Sequence, residues 1–141
     1  MSEVFFYHGA SDKLAAACAL IRGAHAQGKA LVVYTRDTTV AGELDRMLWA
    51  QDALSFIPHC RIDSPLAAET PILIADSLSQ VPDGERLMNL DSATPEGYER
   101  FRNLVEVVGQ GEEDRAAARD RVKRYKEKGH EVRYFDLSQR A

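Results

Sequence analysis

The stretch "NLVEVVGQGEEDRAAARDRVKRYKEKGHEVRYFDL", residues 103–137, reads as strand, helix, strand. Its opening run is rich in valine and leucine, side chains that suit a pleated and buried surface. Glu112, Glu113 and Asp114 follow a Gly-Gln-Gly turn. Acids in that position complement the positive end of a helix dipole. Gly129 ends the helix, and "HEVRYFDL" (130–137) returns as a strand. Working outward, the alternation continues. "EVFFYH" (3–8) is a strand and "SDKLAAACALIRGAHAQG" (11–28) a helix, with Leu14, Cys18 and Ile21 at helical spacing and Gly28 as the stop. "KALVVYT" (29–35) is a strand; Asp37 or Thr38 can cap the helix "TTVAGELDRMLWA" (38–50). "TPILIAD" (70–76) and "ERLMNLD" (85–91) are strands, and Thr94-Pro95 opens a short helix through Tyr98 and Phe101. The connection 60–69 and the Asp83-Gly84 turn are expected to be mobile surface segments. Strands that alternate with helices and are continuously apolar predict an α/β fold: a single domain over residues 1–141, in three layers, with a mainly parallel sheet and helices on both faces.

Composition narrows the function. The chain has 141 residues, 45% apolar and 28% charged, and no apolar run approaches the roughly 20 residues that cross a membrane. The start "MSEVFFYHGASD" lacks the basic and apolar regions of a signal peptide, so a cytoplasmic location is expected, with Cys18 and Cys60 as reduced thiols. A net charge of −4 argues against a protein built to grip nucleic acid. That charge is uneven. Seven Lys/Arg and two acids lie between Arg115 and Lys128, a local +5 that leaves −9 for the rest of the chain.

The residues offer little catalytic chemistry. His8, His25, His59 and His130 are not spaced as metal ligands, there is no GxSxG, and Cys18 lies on the apolar stripe of its helix. "YHGASDK" is neither GxGxxG nor a Walker loop. "VVGQGEED" carries a GxG before a helix, but the acids that follow would repel a phosphate. His8 reads first as a hydrogen-bonded edge histidine. A nucleotide-binding protein or enzyme acting near His8 and Gly109 stands as the alternative; no cofactor is expected.

Two surface features stand out. With Val40 as zero and about 100° per residue, Leu44 falls at about 40°, Met47 at about −20° and Leu48 at about 80°. Trp49 falls at about 180°, opposite that stripe. Either the helix persists and Trp49 faces away from the core, or it ends near Leu48 and Trp49 folds under "DALSFIP", where Phe56 precedes Ile57-Pro58. In the second feature, Arg115 at zero puts Arg119 at about 40°, Lys123 at about 80° and Lys126 at about 20°. Val122 lies at about −20°, with Ala118 and Tyr125 further along the apolar side. A cationic stripe beside an apolar one suits either a solvated helix or a groove for a peptide carrying carboxylates and a large apolar side chain.

The segments "LDRMLWAQDALSFIPH" (44–59), "PILIADSLSQVPDGERLMNLDSATP" (71–95) and "YERFRNLVEVVGQGEEDRAAARDRVKRYKEKGHEVRYFDL" (98–137) carry a resemblance to the chi subunit of bacterial DNA polymerase III holoenzyme, and the opening "VFFYH" is similar to the family's start. The resemblance implies a non-catalytic replication adaptor with a Rossmann-like fold. It implies two protein partners: the psi subunit of the clamp loader, and the acidic, Phe-ended C-terminal tail of single-stranded DNA-binding protein. DNA would then be contacted only indirectly. Trp49 and Phe56 match positions that contact psi, a surface that in some relatives engages a helicase-like protein. Arg115, Arg119 and Lys123 match basic positions of the tail-binding helix, and Tyr125 an aromatic of it. Val122 stands where the family has a tyrosine and keeps the position apolar.

Overall fold

A computed structural model of the chain describes residues 3–50, 58–62, 64, 70–79, 81 and 84–138. Seven strands form one sheet: β1 (Glu3–Ala10), β2 (Leu31–Tyr34), β3 (His59–Arg61), β4 (Ile72–Ala75), β5 (Gly84–Asn89), β6 (Phe101–Gly109) and β7 (Glu131–Asp136). Their order is β3-β4-β2-β5-β6-β1-β7, and every described pairing is parallel. The helices are α1 (Lys13–Ala26), α2 (Thr38–Ala50) and α3 (Glu112–Glu127). None of the described helices is long and apolar enough to cross a membrane.

Capping sets the helix starts. Asp12 accepts the Ala15 amide at 3.1 Å, and Asp37 accepts those of Thr39 at 2.9 Å and Val40 at 3.3 Å. Helices α1 and α2 cover one face, burying Ala17, Cys18 and Ile21 of the first and Ala41, Leu44 and Leu48 of the second against β2, β4 and β6. Helix α3 covers the other, with Tyr125 in a core that includes Val4, Tyr98 and Leu104, and Ala118 in a smaller one with Phe6 and Val108. Strand β1 therefore serves both layers, since alternate side chains point to opposite faces. Val4 and Phe6 face α3, and Phe5 and Tyr7 pack against the α1–α2 core.

The expected mainly parallel sheet is wholly parallel among its described strands. Two expectations change. A three-residue strand, β3, occupies the start of the connection expected to be a loop and pairs with β4. The helix expected from Thr94 to Phe101 is a single 3₁₀ turn, Tyr98–Arg100, and Phe101 already belongs to β6. Gly97 enters that turn at φ 90°, outside the α-helical region, so no helix runs through it.

Candidate functional site

The described residues put a small apolar slot of about 270 Å³ between α3 and the sheet. Phe6, Val108, Ala118 and Tyr134 supply its apolar wall, with His8, Arg115 and Arg119 around them. The fold assembles it in a specific way. Chain leaving β6 enters α3, crosses over β1 and returns as β7, so β1 lies between the two strands that flank the helix. Parallel register then sets Phe6 beside Tyr134 and His8 beside Asp136. The Phe6 and Tyr134 rings meet edge to face with centroids 5.7 Å apart. Tyr134 is 49% exposed, and Lys126 Nζ lies 5.1 Å from its ring centre.

The two arginines lean on one acid. Arg119 Nη2 is 3.4 Å from Glu112 Oε1, and Arg115 Nη1 is 4.0 Å from Glu112 Oε2. All three side chains are more than half exposed, so each pair is worth about 0–1 kcal/mol. A carboxylate entering the slot can displace Glu112 at small cost. Val122 is half-buried and packs on the Phe6, Val108 and Ala118 cluster beneath the slot. Lys123 is exposed on the same helix but does not line the slot.

Tyr125 does not belong to this surface. It is 0% exposed, and its hydroxyl donates to Glu106 Oε2 at 2.5 Å. Burial, and then the Glu106 carboxylate, push its phenol far above the usual tyrosine range, so it stays a donor. Arg121, counted above in the cationic segment, is also inside. Its Nε donates to Glu106 Oε2 and its Nη2 pairs with Oε1, both at 3.1 Å, while Nη1 donates to the Ser92 carbonyl at 2.6 Å. The exposed charge of α3 is therefore smaller than the sequence implies.

Trp49 stands on the other face of the sheet. Helix α2 persists through it, and the side chain is 55% exposed. One side of the indole rests on His59, with ring centroids 5.1 Å apart. His59 Nε2 and Asp45 Oδ1 are 3.0 Å apart, so two α2 residues one turn apart hold the first residue of β3. That contact fixes the tryptophan with part of its ring outward. Phe56 lies outside the described residues.

The alternative near His8 and Gly109 coincides with a topological switch point, since β1 leads to α1 on one face and its neighbour β6 leads to α3 on the other. The crevice there is bridged. Asp114 Oδ2 accepts the Gly109 amide at 2.7 Å, Asp114 Oδ1 takes Lys13 Nζ at 3.2 Å, and Gln110 donates to the Gly9 carbonyl at 3.0 Å. The carboxylate occupies the place a phosphate would need. His8 is not at an edge, because β1 is flanked by β6 and β7. A larger polar hollow of about 660 Å³ opens beyond Tyr34, with Arg36, Asp76, Glu96 and Arg100 around it. Its cations are already engaged: Arg36 by Asp91 at 2.7 Å, and Arg100 by the Leu78 and Val81 carbonyls. Burial pushes the Tyr34 phenol up; Arg36 opposes that shift, and Asp91, Asp76 and Glu96 add to it.

Sequence reasoning missed Phe6, Val108 and Tyr134 as slot residues and named His8 only in the nucleotide-site alternative. Alternation along β1 puts Phe6 and His8 on one face, but their meeting with α3 depends on the crossover.

Comparison with known proteins finds matches along most of the sequence. The family model described as "DNA polymerase III chi subunit, HolC" matches residues 1–133. A DNA polymerase III subunit chi of Pseudomonas aeruginosa is 32% identical over 136 residues, covering 92% of this chain and 93% of the relative. One from Haemophilus influenzae is 25% identical over 114 residues, covering 80% and 79%. With the match running along nearly all of the sequence, the chain belongs to the DNA polymerase III chi subunit family, and so to the accessory rather than the catalytic subunits of that polymerase.

Proposed function

We propose that this chain is a replication adaptor with two separate docking surfaces. The α3 slot takes the acidic, Phe-ended C-terminal tail of single-stranded DNA-binding protein. The Trp49 surface, with Phe56 as its second contact, takes the psi subunit of the clamp loader or a helicase-like protein in its place. The observation that carries the reading is the slot itself: an aromatic-sized apolar recess with Arg115 and Arg119 at its margin. A peptide with several carboxylates and one ring needs that combination. The ring gains by leaving water, and the guanidinia take the carboxylates through charge-assisted hydrogen bonds. Lys123 adds to the attraction from outside the slot, and Val122 supports its apolar floor.

Titration with a fluorescent acidic peptide ending in Phe tests this. Deleting the terminal Phe is expected to weaken binding at least about tenfold, because burying such a ring is worth about 1.5–3 kcal/mol. Equal binding by both peptides would remove the pocket from the proposal. The second surface has its own test. Trp49→Ala should reduce capture of psi by about thirtyfold or more, the usual cost of truncating a tryptophan anchor, with peptide affinity unchanged.

A further inference from the structure

We propose that His8 is a third anion-binding group of the α3 slot, donating to a carboxylate of the acidic segment once its imidazole is protonated. The inference rests on the tail-binding reading given above. His8 is half-buried and lines the slot with Arg115 and Arg119, although it comes from a strand rather than from the helix. Its ring stacks on Phe6 with centroids 5.9 Å apart and 29° between planes, which directs it along the same face as the apolar wall.

The surroundings can accept an imidazolium. Register places Asp136 of β7 beside His8. Gly9, at φ 75°, lets the end of β7 come close: a Cβ there would stand 3.0 Å from Asp136 Oδ1 and 3.1 Å from Ser138 Cβ. Asp136 accepts from the Ser138 amide at 2.9 Å and its hydroxyl at 2.6 Å. Those bonds first, and the nearby His8 in addition, hold the Asp136 carboxyl below its ordinary range. Asp136 therefore stays ionised through the pH range in which an imidazole titrates. The charged groups facing His8 are thus Asp136 from β7 and Arg115 and Arg119 from α3, with Tyr134 the remaining titratable neighbour. Without peptide, Arg115 and Arg119, both paired with Glu112, oppose a third cation, and Asp136 supports it. A bound peptide adds carboxylates and tips the balance towards the protonated ring.

Linkage then fixes the sign. A ligand that prefers protonated His8 binds more tightly as pH falls, and the gain fades as pH rises. Peptide carboxylates remain ionised down to about pH 5, so they do not mask the effect.

The test is anisotropy titration of the labelled Phe-ended acidic peptide at about pH 7.5 and 5.5, at constant ionic strength. The intact protein is expected to bind about three- to tenfold more tightly at the lower pH, the effect of one charge-assisted hydrogen bond at a half-exposed site. His8→Gln should lose the pH dependence. His8→Arg should bind with the low-pH affinity at both. Parent binding that ignores pH, or pH dependence that survives in His8→Gln, overturns this inference and leaves the slot reading standing. Absence of peptide binding at both pH values overturns the slot reading and this inference with it.

Discussion

Replacing Arg121 with alanine should lower stability by about 3–5 kcal/mol, the usual cost of stripping one partner from a buried ion pair. The Arg121 and Glu106 side chains are 4% and 0% exposed. Glu106 lies mid-strand in an otherwise apolar segment of β6, and every group around it donates. Asn89 Nδ2 reaches its two oxygens at 3.2 and 3.1 Å, Tyr125 reaches one at 2.5 Å, and Arg121 holds both. Burial pushes the Glu106 carboxyl up, while Arg121, Tyr125 and Asn89 pull it back. Burial already outweighs them, and without Arg121 its push grows, so the folded state either keeps an uncompensated charge or binds a proton. A carboxyl raised in the folded state contributes stability that is present at low pH and lost as pH rises through its folded value. The penalty of Arg121→Ala should therefore shrink between about pH 8 and pH 5. Urea unfolding of both proteins at the two pH values measures it. A loss below about 1 kcal/mol would mean that water reaches the carboxylate and that the network contributes no more than a surface pair. Adding Glu106→Leu should cost less than the two single losses together, because the orphaned charge disappears while Asn89 and Tyr125 still lack their acceptor.

That network also shows what the sequence withheld. The strand-helix alternation was legible because caps, stops and apolar runs are local: Asp12 and Asp37 start helices, and the valine-rich runs become inner strands. Strand β3 was not legible, since "HCR" has no apolar pattern and is held by β4 on one side only. Trp49 was placed correctly by helical phase, because phase needs no tertiary information. Arg121 was not. Its bearing, about 240° from Arg115, put it on the side of Ala118 and Tyr125, but a guanidinium there reads as solvated unless its acid is known. A signal did exist. Glu106 sits inside "NLVEVVG", where a buried carboxylate must have a cation. The same bearing argument applied too weakly to Tyr125, which the apolar stripe carries past the slot and into the core. His8 shares its face with Val4 and Phe6 by alternation alone. That this face lies under Arg115 and Arg119 follows from α3 crossing over β1, a feature of topology that no local pattern encodes.

Arg119→Glu should abolish binding of the acidic peptide, weakening it by more than about thirtyfold, and leave the fold intact. The two halves of that expectation have separate causes. Arg119 is 62% exposed and its described partner is the exposed Glu112, so no buried group depends on it and the stability change should stay within about 0.5 kcal/mol. A glutamate at this position also lies one turn from both Arg115 and Lys123, and the new i,i+4 pairs offset the lost one. Binding has no such compensation. One charge-assisted hydrogen bond is removed, and a carboxylate now faces the incoming carboxylates. Added salt should narrow the difference between variant and parent, because exposed charges are screened over about 10 Å at roughly 0.1 M. Capture of psi through Trp49 should not change, since α2 and α3 lie on opposite faces of the sheet. Normal peptide binding by folded Arg119→Glu would place the tail elsewhere. Loss of both partners from a protein that still unfolds cooperatively would mean that the two surfaces are not independent, and that the adaptor works through one shared face.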